Sequence, residues 1–317
     1  MRSSKSKVAL IKFGSGLLFV LAACFSLTAC SSLDFINRVS EVPENKPTTI
    51  SYGASPRQKI DVYQPVESRR AITAIAQATT SVISEAQAAT VAARPLVIFF
   101  YGGSWNSGAR EDYRFLARAF NDLGYVVAIP DYRLTPEVIY PEFLRDSAAA
   151  VSTLIKRAGE FGADPNRVVL AGHSAGAYNA AMLAMDPRWM PAADRKKIRG
   201  LIGLALPADF LPIRVPTVQR TFDWPNTPRD TQPIEHVRKD NPPTLLIIAA
   251  GDRLVDPETN SFALAKRMQE AGVSVQVETF DGTGIGHASL VATLSSAFSF
   301  LAPTLDRMKT FIDQVTR

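Results

Sequence analysis

The segment that most restricts how this chain folds is an apolar stretch that runs straight into a serine flanked by glycines. Residues Arg167 to Ala171 have the apolar run of a short buried strand, and Gly172-His173-Ser174-Ala175-Gly176 follows directly. Residues Ala177 to Met185 are small and apolar, as in a helix packed on a sheet. A serine between strand and helix lies on a very sharp turn, where flanking glycines remove side chains that would clash. The pattern therefore predicts a serine hydroxyl exposed at a sheet edge.

Strand and helix patterns alternate along the chain from about Ile50. This order is typical of an α/β domain with a mainly parallel central sheet and helices on both faces. With 46% apolar and 21% charged residues, the composition is that of a folded globular protein. We therefore expect a single domain over residues 50–317. The other predicted strands are Lys59 to Tyr63, Pro95 to Phe100, Tyr125 to Ile129, Ile202 to Leu206, Thr244 to Ala250 and an outer strand with Val273, Val275 and Val277.

Two segments interrupt the alternation. Residues 67–94 are rich in Ala and Thr and contain no Gly or Pro, which indicates an inserted surface helix or loop. Residues 211–232 contain four prolines and have weak periodicity. We expect this second segment to form a cap over one side of the site.

The first 29 residues have the parts of a secretory signal. A basic start precedes an apolar run from Leu17 to Leu27, which is too short to span a bilayer, where about 20 residues are needed. Leu27-Thr28-Ala29-Cys30 resembles a bacterial lipobox, so we expect residues 1–29 to be removed and Cys30 to carry lipid. Two alternatives stay open: Cys24 ends a similar box with a shorter apolar run, and the leader could be an ordinary cleaved signal.

Lipid on Cys30 predicts a protein of the bacterial cell envelope that is anchored to a membrane and faces the periplasm. We then interpret residues 30–49 as a solvated tether.

The net charge of +5 comes from the leader, because a chain starting at Cys30 has 31 basic and 30 acidic residues. This balance predicts no nucleic-acid partner. Cys24 and Cys30 are the only cysteines in the sequence, so the body has no disulfide, thiolate nucleophile or cysteine metal site.

A serine nucleophile needs a base, and the sequence has three histidines. His173 is next to Ser174, where its side chain is expected to point away from the serine. His236 precedes a strand and is interpreted as a surface or structural residue. His287 lies in a glycine-lined loop after the last predicted strand, Gly284-Ile285-Gly286-His287. We therefore predict that His287 is the base.

The base needs an acid that holds the imidazole and stabilises its charged form. Asp252 and Asp256 both follow the strand that ends at Ala250. Asp256 precedes Pro257, which is the signature of a helix N-cap. Asp252 is therefore the predicted acid, and Asp281 is a weaker alternative.

Acyl transfer also needs donors for the developing oxyanion. One expected donor is the amide of Ala175, the residue after the serine. The others are Gly102 and Gly103 in Tyr101-Gly102-Gly103-Ser104-Trp105, because consecutive glycines let backbone amides approach a substrate closely.

Together these residues resemble the α/β-hydrolase superfamily, in particular its carboxylesterase branch, which is related to hormone-sensitive lipase, feruloyl esterase-like enzymes and arylformamidases. The resemblance covers about Ile50 to the C-terminus. It rests on the glycine-pair loop, the serine turn, Gly251-Asp252, Gly286-His287 and the run Asp131-Tyr132-Arg133-Leu134. Many relatives have His where this chain has Tyr101. We expect Tyr101 and Trp105 to contact the substrate.

The resemblance implies the α/β-hydrolase fold and a cofactor-independent serine hydrolase with Ser174, Asp252 and His287 as its triad. The expected substrate is a small carboxylic ester, or an amide such as a formamide. An acyltransferase would use the same residues, and a non-catalytic binding module of the envelope is a further alternative. Three scattered histidines without an H-E-x-x-H motif predict no metal site.

Overall fold

The central sheet positions the candidate residues around Ser174. The structure is a computed structural model that describes residues 29–40, 46–70 and 93–317. Within these residues the strands are β1 (Thr48–Ser51), β2 (Lys59–Tyr63), β3 (Arg94–Phe100), β4 (Val126–Pro130), β5 (Ala163–His173), β6 (Ile198–Leu204), β7 (Thr244–Ala249) and β8 (Val275–Phe280).

The strand order is β1-β2-β4-β3-β5-β6-β7-β8. β1 and β2 pair antiparallel, and β2 also pairs antiparallel with β4. All other neighbours are parallel. β4, β3 from Pro95 and β5 from Val168 are lined by buried, mainly apolar side chains, as in strands covered on both faces. The predicted α/β class with a mainly parallel sheet is confirmed.

One helix of the described residues precedes the first strand, and the others lie between strands or after the last one. They are α1 (Ala29–Ser40), α2 (Arg114–Asp122), α3 (Glu142–Arg157), α4 (Ala175–Met185), α5 (Ala192–Arg195), α6 (Pro216–Thr221), α7 (Ala263–Glu270), α8 (His287–Ala292) and α9 (Thr304–Val315). A π-helical turn, Glu258–Phe262, leads into α7, and short 3-10 turns include Arg110–Tyr113 before α2. The crossovers from β3 to β4 and from β5 to β6 run in opposite directions, and right-handed crossovers therefore place α2 and α4 on opposite faces.

Several strand boundaries differ from those predicted. β5 begins at Ala163, four residues before the predicted start at Arg167. β6 begins at Ile198, four residues before the predicted start at Ile202. Glycines in β6 interrupt the apolar pattern that would have marked its start. A Cβ at Gly200 would lie 2.9 Å from the Phe311 ring of α9, so the close packing of that helix requires glycine. The outer strand β8 begins at Val275 and excludes Val273.

The expected tether over residues 30–49 is corrected in two places. Residues Ala29–Ser40 form α1, and β1 begins at Thr48. Ile36 and Asn37 of α1 are each 1% exposed because they pack on the start of α2. The Asn37 amide nitrogen donates to the Asp112 carbonyl at 2.9 Å, and its oxygen accepts from the Phe115 amide at 3.0 Å. A segment with a buried polar anchor does not behave as a free linker.

Several predictions fall outside the described residues. They are the leader up to residue 28, the side chain of Cys30, and residues 71–92 of the predicted insertion. None of the helices that the structure does describe has the length and apolar character of a membrane span.

Candidate active site

The turn after β5 presents Ser174 at the carboxyl edge of the sheet. Ser174 has φ 53° and ψ −124°, and α4 begins at the next residue. A Cβ at Gly172 would lie 2.4 Å from the Gly176 carbonyl oxygen, and a Cβ at Gly176 would lie 2.1 Å from that of Phe100. Both positions therefore exclude any side chain, and the strained serine backbone is held by its surroundings.

Ser174, His287 and Asp252 form one hydrogen-bonded series. His287 Nε2 lies 2.8 Å from Ser174 Oγ, and His287 Nδ1 lies 2.7 Å from Asp252 Oδ2. A carboxylate only accepts, so Nδ1 carries the proton and Nε2 is free to accept from the serine hydroxyl. The three side chains come from the ends of three different parallel strands, β5, β7 and β8, which share one sheet edge.

Asp252 is held as an anion. Burial raises the pKa of its carboxyl, but the hydrogen bond and charge of His287 and the amides of Val255 and Leu254 outweigh burial and lower the pKa below its ordinary value. Both amides donate to Oδ1, at 3.0 and 2.9 Å respectively, which leaves Oδ2 for the imidazole. The carboxylate therefore has a fixed orientation toward His287.

The other candidate acids and His236 have different partners. Asp256 Oδ1 accepts the Glu258 amide at 3.0 Å, as expected of a cap at the start of the turn into α7. Asp281 is exposed. His236 Nε2 lies 2.7 Å from the Asp230 carbonyl and 3.7 Å from Asp186 Oδ2. None of these three residues joins the series at Ser174.

His173 packs beside Ser174 in a supporting position, and its contact with the backbone of His287 was not predicted. Its Nε2 lies 2.8 Å from the carbonyl oxygen of His287, so this nitrogen carries the proton and donates. Burial, followed by the nearby charge of His287, lowers the pKa of His173 to about 3. The ring is therefore neutral at physiological pH. The adjacency of His173 to the serine was visible in the sequence, but nothing in it pointed to the His287 carbonyl.

The glycine-pair loop lies against the serine. A Cβ on Gly102 would lie 3.1 Å from Ser174 Cβ, and Gly103 has φ 126°, which favours glycine. Within the described chain, the amides of Gly103 and Ala175 donate to no backbone carbonyl. Both amides are thus available to an oxygen bound beside Ser174.

The structure corrects the expectation that Tyr101 contacts the substrate. Tyr101 is fully buried, and its hydroxyl donates to Asp131 Oδ1 and accepts from Arg57 Nη2, both at 2.7 Å. Burial raises the pKa of the phenol well above its ordinary value, so it stays a donor. Arg110 also pairs with Asp131. Tyr101 therefore fixes the loop that carries Gly102 and lines no part of the cavity.

A cavity of about 460 Å³ opens beside Ser174. Trp105 forms one wall, and its indole N–H donates to Asn179 Oδ1 at 3.0 Å. That Trp105 contacts the substrate stays a prediction. The start of the predicted cap, together with residues just before it, supplies a second wall, and the loop after β7 supplies a third. The apolar lining residues are Trp105, Phe210, Leu211, Ile213, Val215, Val218, Leu254 and Val255.

The described residues contain no group of three or more His, Cys, Asp and Glu side chains arranged to hold a metal ion.

Comparison with known proteins gives one family match and several relatives. The BD-FAE family model matches residues 84–213. Esterase LipC of Mycobacterium tuberculosis is 29% identical over 246 residues, which are 70% of this chain and 59% of LipC. Carboxylesterase NlhH of the same organism is 37% identical over 95 residues, 30% of each chain. This chain therefore spans less than two thirds of these relatives.

Solved structures of Thermogutta terrifontis esterase 2 share the fold. The apo form superposes with a TM-score of 0.67 at 22% identity, and covers 87% of this chain and 96% of its own. The form phosphorylated by paraoxon superposes with a TM-score of 0.66 at 21% identity, with 87% and 95% covered. The chain has the α/β-hydrolase fold, as predicted.

The assignment of the acid generates a first prediction. Replacing Asp252 by Asn should lower the turnover of a carboxylic ester by about 10⁴, because the amide no longer holds the reactive imidazole tautomer. Asp256→Ala should leave turnover nearly unchanged and cost about 1 kcal/mol of unfolding free energy through the lost cap. Initial rates and thermal unfolding of both variants measure this. If only Asp256→Ala lost turnover, Asp256 and not Asp252 would be the acid that holds His287.

A second prediction concerns His173. His173→Phe removes the donor to the His287 carbonyl and should lower kcat about 10²-fold with little change in KM, because misplacement of a catalytic group by about 1 Å costs that much. His173→Gln keeps a donor and should recover most of the loss. His236→Phe is the matched control. Equal kcat values for folded His173→Phe and His236→Phe would contradict a positioning role for His173.

Proposed function

We propose that this protein is a serine hydrolase that cleaves a carboxylic ester through an acyl-enzyme on Ser174. The observation that carries the proposal is the hydrogen-bonded series from Ser174 through His287 to Asp252 beside a cavity that both apolar and polar side chains line. The esterase names of LipC and NlhH support the same reaction class.

The geometry accounts for both halves of the reaction. His287 Nε2 takes the Ser174 proton as Oγ attacks the ester carbonyl, and the amides of Gly103 and Ala175, with Gly102 beside them, stabilise the oxyanion of the tetrahedral intermediate. His287 then protonates the alcohol oxygen, and the C–O bond breaks. Water attacks the acyl-enzyme with His287 as base, which releases the acid and restores Ser174. Asp252 remains ionised throughout.

The cavity supports a small-molecule ester with an apolar acyl or alcohol group. Its volume of about 460 Å³ lies within the range of small-ligand sites. Trp105 is fixed by edge-on contacts with Phe222 and Tyr178, at centroid distances of 4.9 and 5.2 Å. A rigid aromatic wall beside the nucleophile favours an apolar group in the part of the cavity that Trp105 lines, whereas Asp209, Arg214 and Asp256 line other parts.

A fluorophosphonate probe tests this function, because it reacts with a serine activated by a base. The probe should label Ser174 in the folded protein and fail with Ser174→Ala, and labelling should fall sharply in His287→Ala but persist in His236→Ala. Hydrolysis of graded acyl esters and matched amides should follow the same order, with a loss of about 10⁶ in kcat for Ser174→Ala if the triad acts as a unit. Folded wild-type protein that neither labels nor hydrolyses any member of the panel would favour a binding module.

We also propose that Cys30 carries lipid and anchors the protein to a membrane of the bacterial envelope, facing the periplasm. The apolar run from Leu17 to Leu27 and the box that ends at Cys30 support this assignment. Cys30→Ala should move the protein out of the membrane fraction and remove acyl labelling, whereas Cys24→Ala, the matched control, should do neither. Acyl labelling that survives Cys30→Ala would contradict the assignment.

A further inference from the structure

Residues 208–210, part of the second cavity wall, are held by two side chains from other parts of the chain. The amides of Ala208 and Asp209 both donate to Asn260 Oδ1, at 2.8 and 3.0 Å. The next amide, that of Phe210, donates to Gln232 Oε1 at 2.8 Å. The backbone of this wall segment therefore depends on Asn260 and Gln232 for its hydrogen-bond acceptors.

Both side chains are buried, and each is hydrogen-bonded at its nitrogen as well as at its oxygen. Asn260 is 4% exposed and Gln232 is fully buried. Asn260 Nδ2 donates to the Asp256 carbonyl at 2.9 Å, and Gln232 Nε2 donates to Thr231 Oγ1 at 2.7 Å. Because a carbonyl only accepts, the nitrogen and oxygen of Asn260 cannot exchange places. The Asn260 oxygen is thus held toward the wall segment.

Asn260 joins two walls of the cavity. It lies in the π-helical turn that follows the third wall, the loop after β7, and the amides that it binds belong to the second wall. Within the described chain, the only other hydrogen bond between residues 206–215 and residues 250–262 runs from Ser261 Oγ to the Leu206 carbonyl at 3.5 Å. That distance exceeds the about 3.0 Å upper limit of a normal O–H···O bond. Asn260 is therefore the main polar link that sets the distance between these walls.

Gln232 holds the same segment from the end of the predicted cap. The Phe210 ring that follows the bound amide lines the cavity. Its centroid lies 5.3 Å from that of Phe222 and 5.8 Å from that of Tyr178, both at steep angles, and 6.2 Å from that of Trp105. The position of this apolar wall residue is therefore coupled to the hydrogen bond that its backbone makes with Gln232.

Loss of either acceptor would displace the wall. Ala208 is fully buried, so its amide has no alternative partner in water when Asn260 is removed. A buried amide without an acceptor is destabilising. The segment should therefore shift toward solvent, where water can accept from its amides, and carry Phe210 with it. The gap between the second and third walls would widen.

We propose that Asn260 and Gln232 are positioning residues that set the size of the acyl or alcohol group that the cavity accepts. The proposal rests on the proposed hydrolysis of an ester at Ser174. Both side chains act through the wall segment, so they determine which ester fits. In an apolar pocket, one methylene group changes kcat/KM by about tenfold or more, so a small displacement of the wall is measurable.

Steady-state kinetics on matched pairs of esters test this role. The acyl pair is para-nitrophenyl acetate and para-nitrophenyl octanoate, and the alcohol pair is methyl acetate and hexyl acetate. Both members of a pair are assayed on one sample, so the ratio of their kcat/KM values is independent of the folded fraction of the enzyme. The matched control is Asn241→Ala. Asn241 is 8% exposed, accepts the Arg238 amide at 2.6 Å, and precedes β7 at the opposite sheet edge.

Asn260→Ala and Gln232→Ala should each raise the ratio of kcat/KM for the large ester over the small one by about tenfold in at least one pair. Asn260→Asp should keep the wild-type ratio, because its carboxylate still accepts both amides. Asn241→Ala should keep it as well, because its hydrogen bond lies away from the cavity.

Wild-type ratios in either alanine variant overturn the proposal for that residue. An equal shift in Asn241→Ala or in Asn260→Asp overturns it for Asn260, because the shift then does not depend on the acceptor at the wall. Wild-type protein that hydrolyses none of the four esters contradicts the proposed function itself, whereas active protein with unchanged ratios contradicts only the positioning role.

Discussion

The left-handed backbone of Ser174 is the conformation on which the site depends. Its φ of 53° is maintained by contacts on both sides: Gly176 packs beneath the Phe100 carbonyl, and the Ser174 amide donates to the Leu204 carbonyl at 2.9 Å. β5, which ends at this turn, pairs with β3 and β6. The serine is therefore tied to three adjacent strands at once, and its hydroxyl occupies a defined point at the sheet edge.

Paired buried charges give the loops at this edge a single arrangement. Asp131 and Asp146 are 3% and 2% exposed, and each faces an arginine: Asp131 pairs with Arg110, and Asp146 binds Arg133 Nε and Nη2, both at 2.8 Å. A buried carboxylate without its partner is strongly destabilising, so alternative loop positions that break these pairs are disfavoured. Asp131 accepts a hydrogen bond from the Tyr101 hydroxyl and thereby holds the glycine-pair loop in place against the core.

Some polar groups around Ser174 are hydrogen-bonded within the protein, and others have no partner there and can bind the substrate. The imidazole of His287 is engaged on both sides, and its backbone carbonyl accepts from His173. The amides of Gly103 and Ala175 donate to no carbonyl in the described chain. Because both ring nitrogens of His287 and its backbone carbonyl are already hydrogen-bonded, His287 has little freedom to rearrange when an oxyanion forms.

Local sequence predicted the serine turn and also His287 and Asp252, which the structure places in one hydrogen-bonded series with Ser174. Glycines around Ser174, the Asp-Pro pair at Asp256 and the glycine-lined loop before His287 each encode a backbone conformation within a few residues, and the fold class follows from the alternation of apolar patterns. Long-range burial decided the rest. Tyr101 is a structural residue because Arg57 and Asp131, 44 and 30 positions away, meet its hydroxyl in the core. α1 is docked because Asn37 finds an unpaired amide 78 positions along the chain, at Phe115. Such contacts depend on which helices, strands and loops the sheet brings together. They cannot be predicted from a local sequence pattern.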